Sequence, residues 1–183
     1  MLSLKEILDA DWARLAELSG QAHVARRWVD HFSPRFAPVS LVRHAHALHR
    51  GGWRRLAKLV QLFNFVVFGL EVPATLEIGA GLVIAHTQGT ILGGASIGRN
   101  VTVFQQVTLG ASTLDFAYNP ALRPVVEDGV TLTAGAKVLG PVTLGRNCVV
   151  GANAVVLADV PAGSLAVGVP ARIVTTSEDA RTP

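Results

Sequence analysis

A chain of 183 residues suits one compact domain with a smaller appendage, and a core that grows coil by coil accommodates 50% hydrophobic residues without a membrane. A formal charge of +3 with only 6% aromatic residues argues against nucleic acid as a partner and fits an anionic small ligand, such as a phosphate-bearing cofactor. The single cysteine excludes an intramolecular disulfide and any cysteine-rich metal site.

The first residues mix charged and apolar side chains without a long hydrophobic centre, so no secretion leader is expected and the cytoplasm is the expected location. Ser3 and Glu6 have the spacing of a capping box. Leu4, Ile7, Leu8, Trp12, Leu15 and Leu18 then keep a helical stripe as far as Gly20. A second short helix is expected over 23–32, ending before Pro34. A third starts near Pro38 and Ser40, breaks at Gly51 and Gly52, and resumes over 53–65. Residues 59–70 are strongly apolar but too few to span a bilayer, so no membrane partner is expected. This stretch is predicted to pack on the base of the following domain or on a neighbouring subunit. Residues 1–70 thus form an N-terminal helical region.

From there the pattern changes. Ile78, Ile84, Ile91, Ile97, Val103 and Leu109 step by six, with one extra residue between Ile84 and Ile91, around His86. After a pause at 110–125, Val126, Leu132, Val138, Leu144, Val150 and Val156 resume the step. Smaller apolar residues follow four positions behind each, at Val130, Ala136, Val142, Cys148, Ala154 and Val160. A period of six fits neither an α-helix nor a flat strand. It describes short strands turning a corner every six residues, a parallel β-helix of hexapeptide repeats spanning 71–174. Gly129, Gly135, Gly145, Asn147, Gly151 and Asn153 supply residues tolerant of positive φ at or near the corners. The fold class is mainly β, with a polar tail at 175–183 and a loop at 110–125 projecting from a corner to cover a ligand groove or reach a neighbouring subunit.

Six histidines require sorting. His44, His46 and His49 are close in sequence, but on a helix only His46 and His49 share a face, and no carboxylate sits beside them; His23 and His31 belong to a charged helical face. No metal site is expected. His86 differs, because it interrupts a repeat that otherwise wants small or apolar residues. An imidazole neutral near pH 7 is suited to take a proton from a hydroxyl and pass it to a leaving group. Cys148 fills the small-residue slot of a hexad and reads as packing.

The segments EVPATLEIGAGLVIAH at 71–86, VTVFQQVTLG at 101–110, TAGAKVLG at 133–140 and AVGVPARIV at 166–174 resemble the catalytic domain of the serine acetyltransferases, within the hexapeptide acyltransferase superfamily. The resemblance implies a left-handed β-helix and an acetyl-CoA-dependent O-acetyltransferase. It makes His86 the general base and Glu71 the carboxylate that orients it, where the family more often has aspartate. It sets Gly110, Ala111, Ala134 and Ala152 along the pantetheine arm, with the backbone N–H groups of Gly110 and Ala111 facing the oxyanion, and Arg146 and Arg172 near the phosphates. It further implies a homotrimer with sites between subunits.

Two departures concern the acceptor. Ala85 stands where the family carries aspartate before the histidine, and Leu122-Arg123-Pro124-Val125 replaces an Arg-His-Pro-Lys run, leaving Arg123 as the candidate carboxylate ligand. L-serine is the best single acceptor, with a sugar or natural-product hydroxyl as the rival. The relatives often dock a tail ending in isoleucine into a partner sulfhydrylase. Ala180-Arg181-Thr182-Pro183 lacks that residue, so no tight sulfhydrylase complex is expected. A non-catalytic β-helix binding protein is the other class of function; a γ-class carbonic anhydrase fails because the repeat region holds His86 alone.

Overall fold

The computed structural model describes residues 2–21 and 25–174. The tail at 175–183, which carries the expectation about a sulfhydrylase, and His23 both lie outside them.

Helix α1 (Leu4–Leu18) begins at the expected capping box: the Ser3 N–H donates to Glu6 Oε2 at 2.7 Å, and the Glu6 N–H donates to Ser3 Oγ at 3.2 Å. Of the helix expected over 23–32, the described residues 25–32 hold only one 3₁₀ turn, Trp28–Phe32. Asp30 explains part of the difference, because its carboxylate accepts the Arg27 N–H at 2.6 Å and so closes a tight local turn. No residue of the turn is fully buried, so it has no apolar face to prolong a helix against. Helix α2 (Ala37–Arg50) and helix α3 (Arg54–Phe68) are separated at Gly51 and Gly52 as predicted, and pack through small residues: Ala45 and Ala57 are buried together with Ala74 of the first coil. The opposite face of α3 leaves Leu59, Leu62, Phe63, Phe65 and Val66 more than half exposed. Of the partners expected for 59–70, the base of the β-helix takes one face of the stretch: Val60 packs on the cluster that holds Ala74, Gln61 donates to the Val72 carbonyl at 2.7 Å, Phe68 packs on the core and Leu70 is buried. Among the described residues, no helix is long and apolar enough to cross a membrane.

The remainder is a left-handed parallel β-helix with three faces. The first face stacks Leu70–Glu71, Thr90–Leu92, Thr108–Gly110, Lys137–Leu139 and Val155–Val156. The second stacks Glu77–Ile78, Ser96–Ile97, Val125–Val126 and Thr143–Leu144. The third stacks Val83–Ile84, Thr102–Val103, Thr131–Leu132, Val149–Val150 and Leu165–Val167, then closes with Arg172–Val174, the one antiparallel pairing among the described strands. The twelve repeat positions from Val126 to Val160 are at most 5% exposed, so both predicted ladders line the interior.

The earlier coils depart from the predicted register at one point. Leu92, not Ile91, is the core residue: Leu92 pairs with Leu109 and is fully buried, whereas Ile91 pairs with Thr108 and points outward, 39% exposed. The strand Thr90–Leu92 alternates, so Thr90 and Leu92 both face inward. The turn before it therefore holds two extra residues, and the step from Leu92 to Ile97 is one short.

The corner glycines also divide into two kinds. Gly129 and Gly135 have φ of 72° and 73°, and Asn147 and Asn153 share the left-handed region at 56°. Gly145 and Gly151 do not; they are glycine because a Cβ would lie 2.5 Å from the Ala162 nitrogen and 2.6 Å from Val167 Cγ1 in the next coil.

One buried ion pair joins the two regions. Arg43 donates through Nε to Asp11 Oδ2 at 2.8 Å and through Nη2 to Oδ1 at 3.0 Å, with side chains 5% and 0% exposed. Asp11 Oδ1 also accepts the backbone N–H groups of Gly81 and Leu82, and Arg43 donates to the carbonyls of Ile78 and Gly79. Each charge is thus satisfied by both the helices and the first coil.

Candidate active site

His86 follows the strand Val83–Ile84, in the lengthened turn between the third and first faces. Its side chain is exposed, and it lines a cavity of about 310 Å³ closed by the end of α1. Leu15, Leu18, Val83, Ala85 and Phe104 make apolar walls, Ser19 and Thr102 supply hydroxyls, and Arg35 supplies the other ionisable group. Such a cavity suits a small molecule. Arg35 carries no sequence signal, and only the fold brings the turn after Ser33 to His86.

Glu71 ends the first strand and pairs with Ile91, immediately beyond the turn that holds His86. It is exposed, and among the described residues no hydrogen bond or ion pair joins it to His86.

The predicted cofactor residues separate into groups. Ala134 and Ala152 stack on the corner that bears His86: Asn153 donates its N–H to the Ala134 carbonyl at 2.9 Å, and Gly135 does so to Gln105 one coil earlier. Gly110 and Ala111 lie at the other edge of the first face, where Gly110 pairs with Leu139 and the long loop departs. Arg146 is exposed at the third corner, 4.0 Å from a carboxylate oxygen of Glu127. Arg172 is exposed in the antiparallel strand, paired with Val167.

Arg123 is committed to Asp115 in its own loop and to Gly93 of an earlier corner. Nε donates to Asp115 Oδ2 at 3.0 Å, Nη1 to the Gly93 carbonyl at 2.9 Å and Nη2 to the Asp115 carbonyl at 3.1 Å. The guanidinium also lies 3.7 Å from the centre of the Tyr118 ring. Tyr118 donates its hydroxyl to the Gly94 carbonyl at 2.8 Å, and burial raises the pKa of its phenol. Gly93 must be small here, since a Cβ would come within 3.0 Å of Arg123 Nη1 and 2.8 Å of the Leu109 carbonyl. This clamp holds the base of the loop, while Leu114 and Phe116 at its tip are 87% and 95% exposed.

Two residue classes lie apart from the cavity. Cys148 is fully buried, and burial pushes its thiol up to about 11, far from a thiolate nucleophile at neutral pH. His31 and His44 both bond to Ser40, at 2.6 and 3.3 Å, and Arg26 contacts the other nitrogen of His31. The fold sets Glu77 3.7 Å from His46, a carboxylate that the neighbouring sequence did not offer. Among the described residues, no three His, Cys, Asp or Glu side chains converge as a metal-binding group.

Residues 123–158 match the family model of the bacterial transferase hexapeptide, six repeats. The chain is 41% identical over 135 residues to a serine acetyltransferase of Helicobacter pylori, covering 73% of this chain and 77% of the relative. It is 38% identical over 137 residues to a serine acetyltransferase of Mycobacterium tuberculosis, covering 74% of this chain and 58% of that one, so it spans little more than half the relative's length. Among solved structures, a serine acetyltransferase in complex with CoA superimposes with a TM-score of 0.80 at 30% identity, over 94% of this chain and 70% of the other.

Proposed function

Since this chain belongs to the serine acetyltransferase family, we propose that it transfers an acetyl group from acetyl-CoA to the hydroxyl of a small acceptor, with L-serine first among candidates. The observation that carries the reading is His86, exposed in a small cavity at the break of an otherwise regular repeat. Bound acetyl-CoA supplies a thioester whose carbonyl carbon is open to attack. His86 takes the acceptor's hydroxyl proton as the new C–O bond forms and the C–S bond breaks, then passes that proton to the departing thiolate. Glu71, beside the same turn, stabilises the imidazolium. The backbone N–H groups of Gly110 and Ala111 face the oxyanion, a contact whose loss costs about 2.7–4 kcal/mol in comparable enzymes. Ala134 and Ala152 fit a thin pantetheine chain, because neither side chain obstructs the corner below His86.

The assembly we propose is a homotrimer. Within one chain, His86 and the loop bearing Gly110 and Ala111 stand at opposite edges of the first face, so a complete site requires a neighbour's loop. Leu114 and Phe116, exposed at the loop tip, supply the apolar surface for that contact. In this arrangement 1–70 braces the first coil, 71–174 carries the chemistry, and Arg146 and Arg172 meet phosphates across the subunit boundary. A cytoplasmic location suits an acetyl-CoA-dependent reaction.

The rival acceptor, a sugar or natural-product hydroxyl, is favoured by Ala85, which gives an ammonium group no counter-charge. Thiol release from acetyl-CoA, screened over L-serine, homoserine, sugars and amines, tests the function directly. His86→Ala is expected to lower turnover by about 100-fold or more while the protein stays folded, and Glu71→Gln to do less. Near-normal transfer by His86→Ala refutes the base assignment, and an active monomer in light scattering refutes the shared site.

A further inference from the structure

We propose that Arg35 receives the carboxylate of the acceptor, so that the substrate is a small hydroxy carboxylate selected by its anion rather than by an ammonium group. This deepens the acetyl-transfer reading above and rests on it.

The cavity lining holds two ionisable side chains, His86 and Arg35, and no carboxylate. Among the described residues Arg14 is paired with Glu17, Arg26 with Asp9, Arg27 with Asp30, Arg43 with Asp11 and Arg123 with Asp115, while Arg50, Arg54, Arg55, Arg99 and Arg172 have no carboxylate partner but do not line this cavity. Among the described residues Arg35 has no hydrogen bond or ion pair, and it is exposed at the rim of the cavity. A guanidinium beside apolar walls attracts an anion, and its planar fork matches a carboxylate with two parallel hydrogen bonds. The other candidate for that task, Arg123, spends its Nε and Nη2 on Asp115 and its Nη1 on the Gly93 carbonyl. With Ala85 beside His86, no carboxylate among the described lining residues answers an ammonium group. A small hydroxy carboxylate can place its hydroxyl at His86 and its carboxylate at Arg35.

The test compares the full-length wild type with Arg35→Ala and Arg35→Lys, using L-serine, glycerate and L-serinamide as acceptors. Glycerate keeps the carboxylate and replaces the ammonium with a hydroxyl; serinamide keeps the ammonium and neutralises the carboxylate. For the wild type, L-serine and glycerate are expected within about 10-fold of one another and serinamide lower by about 10-fold or more. Arg35→Ala is expected to cut kcat/KM for L-serine and glycerate by about 30-fold, mostly through KM, the scale of a lost charged hydrogen-bond pair. Serinamide and the KM for acetyl-CoA stay as they were, and Arg35→Lys recovers part of the loss.

An equal loss for serinamide, a shift confined to the KM for acetyl-CoA, or no change overturns the assignment. The last two outcomes leave acetyl transfer itself intact. If no acceptor at all releases thiol, the transfer reading fails, and calorimetric titration with L-serine judges Arg35 separately. Binding by the wild type that Arg35→Ala weakens supports the site, while equal binding or none overturns it. Unchanged thermal unfolding of Arg35→Ala establishes that a loss is not misfolding.

Discussion

The coils from Val126 to Val160 and those from Glu71 to Leu109 are built on the same six-residue step, yet they differ in everything that bears on chemistry. In the later coils each large aliphatic residue meets its counterpart in the next coil, every corner has the same length, and the interior is closed. In the earlier coils a turn is lengthened, a threonine enters the interior, and three helices pack against the exposed end. His86 sits in the lengthened turn. A solenoid coil is stabilised by its neighbours on both sides, so the later coils can be strict without doing more than supporting the stack. Where the repeat meets the helices, its departure from register creates a concave surface between two kinds of structure. That surface is the candidate site.

If the helices and the first coils form one unit, the largest effect comes from the pair that joins them. Asp11→Ala leaves Arg43 buried without its carboxylate and removes the acceptor of the Gly81 and Leu82 N–H groups. The expected loss is about 3–5 kcal/mol in chemical denaturation. A double replacement, Asp11→Ala with Arg43→Met, is expected to recover part of it, because no uncompensated charge is then buried. If Asp11→Ala unfolds like the wild type, the helices are a separable appendage and the comparison fails.

The register slip is tested next by two adjacent aliphatic residues. Leu92→Ala opens a void in the interior and is expected to cost about 2–5 kcal/mol, whereas Ile91→Ala removes an outward side chain and costs about 0.5 kcal/mol. The reverse order would restore the single-residue insertion read from the pattern of isoleucines.

A smaller effect is expected at the loop. Arg123→Ala removes a half-buried network of an ion pair, two carbonyl contacts and the Tyr118 ring contact, all local to 93–123. Opening of the loop base is expected to rise by about 10- to 100-fold in limited proteolysis, the equivalent of about 1.5–3 kcal/mol for charged hydrogen bonds. Denaturation of the β-helix itself stays near the wild type. A collapse of global stability would show that the loop is part of the core after all.

The sequence made the fold legible because a six-residue step is a strong constraint: any residue at those positions faces a narrow interior, so Val126 to Val160 could be assigned one by one. The same logic failed at Ile91, where two neighbouring aliphatic residues satisfy the pattern equally and only strand pairing distinguishes them. The 3₁₀ turn at Trp28–Phe32 escaped because a side-chain bond from Asp30, rather than periodicity, closes it. At the site, His86 was visible as a break in a regular pattern, and Glu71 through a resemblance. The ion pair of Asp11 with Arg43, and the shared cavity of Arg35 and His86, were not visible, since each brings together residues far apart in sequence through the fold alone. Arg123 was legible as a cation of the loop, but which oxygen atoms it meets depends on how the loop folds back on Gly93.

The smallest expected effect concerns the outer edge of the helical region. His31 is held between Arg26 and Ser40, with His44 of α2 beyond, and Asp30 and Asp9 nearby. Burial first, then the positive charges of Arg26 and His44, lower its pKa below the ordinary histidine value, while Asp30 and Asp9 oppose the shift. A histidine whose folded pKa is depressed is neutral in the native state over a range where the unfolded chain is already protonated. Its contribution is therefore favourable above the unfolded value, near 6.5, and is lost as pH falls through that value and on to the depressed one. Thermal unfolding is expected to decline as pH falls from about 7 to 5, with a shallower decline for His31→Gln, which removes the ionisable group. An NMR titration placing the His31 midpoint above the ordinary value would reverse the sign of this contribution. It would also mean that the carboxylates of α1 and of the turn, rather than Arg26, set the charge at this edge.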